Sequence, residues 1–290
     1  MPQFVHEGVA SHFEVWEEGE STSMPLILLH GFMQSGSTWD TVALQLSIKR
    51  PVVTFDFVGH GQSDCPDDPL FYRMESVVET LNAFLDHLHD HWFKESKQFA
   101  VLGYSMGGRI ALSFALEHPD HIKSLILESA GLGPQTFEQQ QAFEQRDAFL
   151  VERLESSTLQ EFVDYWEGLP LFATQKNLPP AVQGKIRKGR LQNNLKALKL
   201  TVQGTGQHVM RDLSQQVANL PFPLLYIAGT QDENYADLAR SFERNLAYSF
   251  EANFEANSSV SSALIDAGHN THLENGESFC RHVDKFLGAE

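Results

Sequence analysis

Phe99-Ala-Val-Leu-Gly-Tyr-Ser-Met-Gly-Gly-Arg109 is the stretch that decides how this chain is read. Its first five residues are an apolar run of the kind found in strands covered on both faces, and Arg109–Glu117 continues with helical patterning. Between them, Gly103-Tyr104-Ser105-Met106-Gly107 fits Gly-x-Ser-x-Gly, a serine on a sharp turn from strand to helix. Such a turn is strained, and the flanking positions need glycine because a Cβ would collide. The turn raises the Ser105 hydroxyl to a helix N-terminus, where free N–H groups and the helix dipole favour developing negative charge.

A serine nucleophile on such a turn needs partners that follow it in the order acid, then histidine. Pro223-Leu-Leu-Tyr-Ile-Ala228 reads as a strand, and Asp232 follows in Gly229-Thr-Gln-Asp-Glu233. Ala263-Leu-Ile-Asp266 reads as the next strand, and His269 follows in Ala267-Gly-His-Asn-Thr-His272. Ser105, Asp232 and His269 are therefore expected to form a catalytic triad, with Glu233 and His272 as rivals for the last two places. An oxyanion hole needs two backbone donors. One is assigned to the N–H of Met106, and the other to the N–H of Phe32 in the turn Leu28-Leu-His-Gly-Phe32.

Working outward, Pro25–His30, Pro51–Asp56 and Ser124–Glu128 are further buried strands, and Phe13–Trp16 reads as an edge strand. Met74–Trp92 is amphipathic, with Val77, Val78, Leu81, Phe84, Leu85 and Leu88 at helical spacing, and Glu277–Leu287 reads likewise. Alternating strands and helices predict an α/β fold with a mostly parallel central sheet flanked by helices. The alternation stops after Gly133: Phe137–Leu154, Thr158–Trp166 and Ala181–Gln203 read as helices with no strand between them. The expected organisation is a core of residues 1–133 and 216–290, with residues 134–215 inserted as a helical cap over the carboxyl edge of the sheet.

The formal net charge of −17 argues against binding nucleic acid or an anionic membrane. No apolar run approaches a membrane span, and the first residues lack the basic-then-apolar pattern of a signal peptide. Two cysteines, Cys65 and Cys280, stand in no metal-ligand spacing, so a cytoplasmic enzyme without metal or organic cofactor is expected. Charge is uneven: Lys176–Arg211 holds 8 basic residues and no acid, leaving 13 basic residues elsewhere against all 38 acids. That segment is either a solvated helix face or a local positive field for an anionic substrate.

Over nearly its whole length the chain resembles α/β-hydrolases. Leu29-His-Gly-Phe32, Asp56-Phe-Val-Gly-His-Gly-Gln-Ser63 and Gly268-His269 occur across that fold and specify no reaction. Other strings are more specific. They are Gly103-Tyr-Ser-Met-Gly-Gly-Arg109 with Glu128-Ser-Ala-Gly131, Asp164-Tyr-Trp166 with Leu169-Pro-Leu-Phe172, Arg190-Leu-Gln-Asn193, Gly204-Thr-Gly206, and Gly268-His-Asn-Thr-His-Leu-Glu-Asn275. Together they resemble the 2-succinyl-6-hydroxy-2,4-cyclohexadiene-1-carboxylate synthases of menaquinone biosynthesis, lyases that eliminate pyruvate from an enolpyruvyl tricarboxylate. The resemblance implies that Tyr104, Arg109, Trp166 and Arg190 bind substrate, and that Arg146 stands near the place of a further arginine on the first cap helix. The partner it implies is a small polycarboxylate. Spacing and composition alone leave a serine esterase or a carbon–carbon bond hydrolase open, and say nothing of oligomeric state.

Overall fold

The computed structural model describes residues 3–17, 24–217, 219–251 and 260–288. Eight strands form one sheet: β1 (Gln3–His6), β2 (Val9–Trp16), β3 (Leu26–Leu29), β4 (Val52–Phe55), β5 (Phe99–Tyr104), β6 (Ile122–Glu128), β7 (Leu224–Gly229) and β8 (Val260–Ile265). Their order is β1-β2-β4-β3-β5-β6-β7-β8, with β2 antiparallel to both its neighbours and the strands from β4 to β8 parallel. Every residue of β3, β4, β5 and β7 is buried, as expected of uninterrupted apolar runs covered on both faces. The expected edge strand at Phe13–Trp16 is corrected. It begins at Val9 and is internal, because β1 pairs with its outer side in the register Phe4↔Ser11.

Helices cover both faces. On one, α2 (Met74–His91), α3 (Met106–Glu117) and α9 (Glu233–Glu251) sit over the sheet; Leu81 and Leu85 of α2 and Ile110 and Phe114 of α3 join its core. On the other, Val42 and Leu46 of α1 (Asp40–Leu46) pack with Phe279 and Val283 of α11 (Gly276–Phe286). After β6 the chain runs through α4 (Phe137–Ser156), α5 (Leu159–Glu167), a 3₁₀ stretch Pro170–Asn177, α6 (Pro180–Arg190) and α7 (Leu195–Thr205). Short α8 (Ser214–Val217) then leads to β7, and α10 (Thr271–Glu274) lies between β8 and α11. Leu150, Leu154, Phe162, Val163, Leu198 and Val202 make a separate small core among these helices, closed by Met33 from the loop after β3.

Ala181–Gln203, read from sequence as one helix, is two. It stops at Arg190 and restarts where the Asn194 side chain accepts the Ala197 N–H at 3.1 Å, an N-cap. The break turns Arg190 inward, where it is 4% exposed.

Candidate active site

The carboxyl ends of β3, β5, β7 and β8 converge, and each carries one sequence-predicted element of the site. Ser105 follows β5 with φ 50° and ψ −108°, a left-handed conformation rare for a residue with a Cβ. Its neighbours explain the glycines. A Cβ on Gly103 would meet the Gly107 carbonyl, and one on Gly107 the Leu29 carbonyl at the end of β3. The turn is fastened to the next strand by the Ser105 N–H donating to the Glu128 carbonyl at 2.8 Å.

His269 Nδ1 lies 2.6 Å from Asp232 Oδ2, and its Nε2 lies 3.2 Å from Ser105 Oγ. With a carboxylate at Asp232, Nδ1 carries the proton and Nε2 is left to accept from the serine hydroxyl. Both loops are tied together: Thr230 N–H donates to the Ile265 carbonyl at 2.8 Å and Gln231 N–H to that of Ala267 at 3.0 Å. Asp232 and His269 are buried, which strengthens their interaction by excluding water.

The rivals are accounted for. His272 faces away from Ser105. Its Nδ1 lies 2.7 Å from Glu128 Oε2 and its ring stacks on Trp39 with centroids 3.8 Å apart. Glu128, fully buried, also accepts from Thr271 Oγ1 at 2.7 Å and the His272 N–H at 3.0 Å, so the pair fastens the loop that carries His269. Glu233 opens α9.

Among the described residues the N–H groups of Met106 and Phe32 donate to no other group. The Phe32 turn is held by His30, whose Nδ1 lies 2.8 Å from the Gly31 carbonyl and whose Nε2 accepts the Phe57 N–H at 3.1 Å. Those bonds make Nδ1 the protonated nitrogen, and burial pulls the His30 pKa down, so the ring stays neutral. His60, in the neighbouring loop, is likewise kept neutral by burial, with its pKa pushed down to about 3.

In front of Ser105 opens a cavity of about 970 Å³, counting its mouth. Ser105, His269, Phe32, Met106, Tyr104, Arg109, Arg146, Trp166 and Arg190 all line it; only Asp232, behind His269, does not. Trp166 packs edge-on against Phe32 at 5.2 Å and beside Phe172 at 5.4 Å, giving the cavity an aromatic wall. Tyr104, almost fully buried, places its ring 5.4 Å from that of His269.

Three arginines reach the cavity in different ways. Arg109, 9% exposed on α3, donates Nη1 to the Thr205 carbonyl at 2.6 Å and has no ion pair among the described residues. Burial, followed by the nearby charge of Arg146, pulls its pKa down to about 10, which leaves it charged at neutral pH. Arg146 on α4 is held by Asp147 beside it, with Nε at 2.9 Å and Nη2 at 2.5 Å from Oδ1, while Nη1 donates to Gln207 Oε1 at 2.7 Å. Arg190 donates to Glu167 at 3.2 Å and to Gln175 at 3.1 Å over the face of Phe172, and its buried Nε has no partner among the described residues. Burial lowers the Arg190 pKa against the pull of Glu167.

The acid-free segment Lys176–Arg211 is not an open positive field. Lys185 pairs with Asp40, Arg187 with Asp164 and Glu167, Lys196 with Asp67, Lys199 with Glu155 and Arg211 with Glu117. Of its eight basic residues only Arg190 lines the cavity. Among the cavity residues that escaped the sequence reading are Gln207, and Tyr235 on the first turn of α9. Tyr235 stands three positions after Asp232, and that spacing from the expected acid at a helix start was the available signal.

A parallel sheet with a strained serine turn, and an acid and a histidine in the loops after its last two strands, defines the α/β-hydrolase class. A family model described as alpha/beta hydrolase fold matches residues 24–275, and the chain belongs to that family. Within it, the chain is 32% identical to a Bacillus subtilis (strain 168) protein, over 98% of its own length and 96% of the relative's. That relative is provisionally named 2-succinyl-6-hydroxy-2,4-cyclohexadiene-1-carboxylate synthase. A protein of Klebsiella pneumoniae subsp. pneumoniae with the same name, not provisional, is 27% identical over 86% of the chain and 88% of its own length. The solved structure of MenH from S. aureus superposes with a TM-score of 0.83 at 28% identity, covering 96% of this chain and 98% of that one. The enol-lactonase of Burkholderia xenovorans LB400 shares the fold, with a TM-score of 0.77 at 20% identity over 99% of this chain and all of that one.

Proposed function

We propose that the chain is a 2-succinyl-6-hydroxy-2,4-cyclohexadiene-1-carboxylate synthase of menaquinone biosynthesis, a lyase that releases pyruvate from an enolpyruvyl tricarboxylate. Ser105, His269 and Asp232 act as a triad. His269 takes the serine proton at Nε2, Asp232 holds the resulting imidazolium, and Ser105 Oγ removes a proton from the substrate ring. The electron pair of that C–H bond becomes a ring double bond as the C–O bond to the enolpyruvyl group breaks. The proton on His269 is then available to the departing group, which ends as pyruvate. The Met106 and Phe32 N–H groups face the negative charge that develops during proton removal.

Arg109, Arg146 and Arg190 hold carboxylates, while Tyr104 and Trp166 pack against the ring. Residues 134–215 act as the cap that closes over it. The observation that carries this reading is Arg109: a buried guanidinium in the cavity of Ser105, with no ion pair of its own among the described residues, since Asp147, the carboxylate that acts on it, is already held by Arg146 and His208. Burying a cation without a partner is costly unless an anion arrives to occupy it. An esterase for neutral substrates would carry that cost for nothing. A cytoplasmic setting goes with this reading, and both cysteines are free, Cys280 buried and Cys65 exposed.

The test is an assay of the purified protein on two substrates. The enolpyruvyl intermediate should yield pyruvate far faster than in buffer, and neutral p-nitrophenyl esters should be turned over weakly or not at all. Brisk ester hydrolysis with pyruvate at the spontaneous rate would return the chain to the serine esterases or carbon–carbon bond hydrolases.

A further inference from the structure

We propose that Tyr235 is a further substrate-binding residue, whose phenol hydroxyl donates to the carboxylate that Arg109 holds. This rests on the polycarboxylate reading of the substrate. Tyr235 and Arg109 line the same cavity as Ser105 and His269, and the Tyr235 ring lies 5.0 Å from that of His269.

The direction of the hydrogen bonds carries the inference. Gln207 Oε1 accepts from Arg146 Nη1 at 2.7 Å. A guanidinium only donates, so this bond fixes which end of the amide faces Arg146 and turns Nε2 the other way. That Nε2 lies 3.4 Å from Tyr235 Oη, and an amide nitrogen can only donate, so the phenol oxygen is the acceptor. The hydroxyl proton of Tyr235 has no acceptor among the described residues. Burial raises the Tyr235 pKa, so the group keeps that proton at neutral pH, and the next influence on it is the Arg109 charge.

Arg109 is in the matching state. Its Nη1 is taken by the Thr205 carbonyl, and its remaining donors have no partner among the described residues. The spare donors of a guanidinium and a phenol proton, both lining one cavity and without acceptors among the described residues, suit a carboxylate with one oxygen for each. Tyr235 also rides on the helix that begins beside Asp232, so the carboxylate it holds is placed in fixed relation to the triad.

The experiment is a cycle of four proteins: wild type, Tyr235→Phe, Arg109→Lys and the double variant. Each is assayed for pyruvate release from the enolpyruvyl intermediate, with thermal unfolding recorded for all four. Phenylalanine keeps the ring and removes only the hydroxyl. In the wild-type background it should raise KM roughly 10- to 100-fold, the loss of one charge-assisted hydrogen bond, with kcat within about twofold. In the Arg109→Lys background the same change should cost clearly less, because residues that share one ligand group are not additive. An unchanged KM in folded Tyr235→Phe overturns the inference, and so does an equal effect in both backgrounds. Wild-type protein that releases no pyruvate defeats the functional reading itself, an outcome visible before any variant is measured.

Discussion

Arg109→Ala removes a guanidinium that lines the cavity, spends Nη1 on the Thr205 carbonyl and has no partner for its other donors among the described residues. The edge formed by Nε and Nη2 can bind a carboxylate through two parallel bonds. A hydrogen bond involving a charged group contributes ~1.5–3 kcal/mol, and the variant should lose ~2–3 kcal/mol of transition-state binding, since part of the geometry relaxes. At about 1.4 kcal/mol per decade, kcat/KM should fall roughly 30- to 150-fold. Lys should restore only part of that, because a single ammonium cannot supply the fork. The assay is the initial rate of pyruvate release at substrate well below KM, normalised to protein shown folded by circular dichroism. Arg109→Ala also leaves the Thr205 carbonyl without its guanidinium donor, so thermal unfolding is recorded beside the rates to separate lost substrate binding from lost stability. Unchanged kcat/KM in folded Arg109→Ala would put this side chain outside the substrate's reach and remove the main support for an anionic substrate.

Ser105→Ala should fold normally, keep the left-handed strain because alanine retains the Cβ, and lower kcat by roughly 10³-fold or more; near-normal rates of pyruvate release would end the assignment of Ser105. His269→Ala and His272→Ala should separate activity from stability. The first should lose activity on the same scale as Ser105→Ala while melting close to wild type. The second breaks the buried contact with Glu128 and the stack on Trp39, so it should lose about 3–5 kcal/mol of stability in denaturant unfolding. If His272→Ala were the more damaging to the turnover of folded protein, the base would be misassigned.

The parallel core was legible because strands buried on both faces must be apolar throughout, as Leu26–Leu29 and Leu224–Gly229 are. Ser105 was legible because the strained turn restricts its neighbours to glycine, and few other structures demand that pattern. The outer part of the sheet was not. Gln3–His6 buries only Phe4 fully and pairs along one side, so it carries little hydrophobic pattern. The join between α6 and α7 was hidden by helical residues on both sides of a short break, although Asn193-Asn194 is a cap signal. The basic segment misled for another reason. Composition counts its charges but not the acids that Asp40, Asp67, Asp164 and Glu117 bring from elsewhere in the fold. Tyr235 and Gln207 could not be picked out without knowing that the start of α9 and the turn after α7 meet at the cavity.

The central claim is that Ser105, worked by His269, removes a ring proton instead of attacking a carbonyl carbon. It is tested most directly by single-turnover pyruvate release from the intermediate carrying deuterium at the ring carbon that loses its proton, with the intact mass of the protein followed in parallel. The account predicts slower release from the deuterated substrate and no added mass on the protein at any time. Equal rates for the two substrates, together with an adduct that appears on the wild type and is absent from Ser105→Ala, would contradict it.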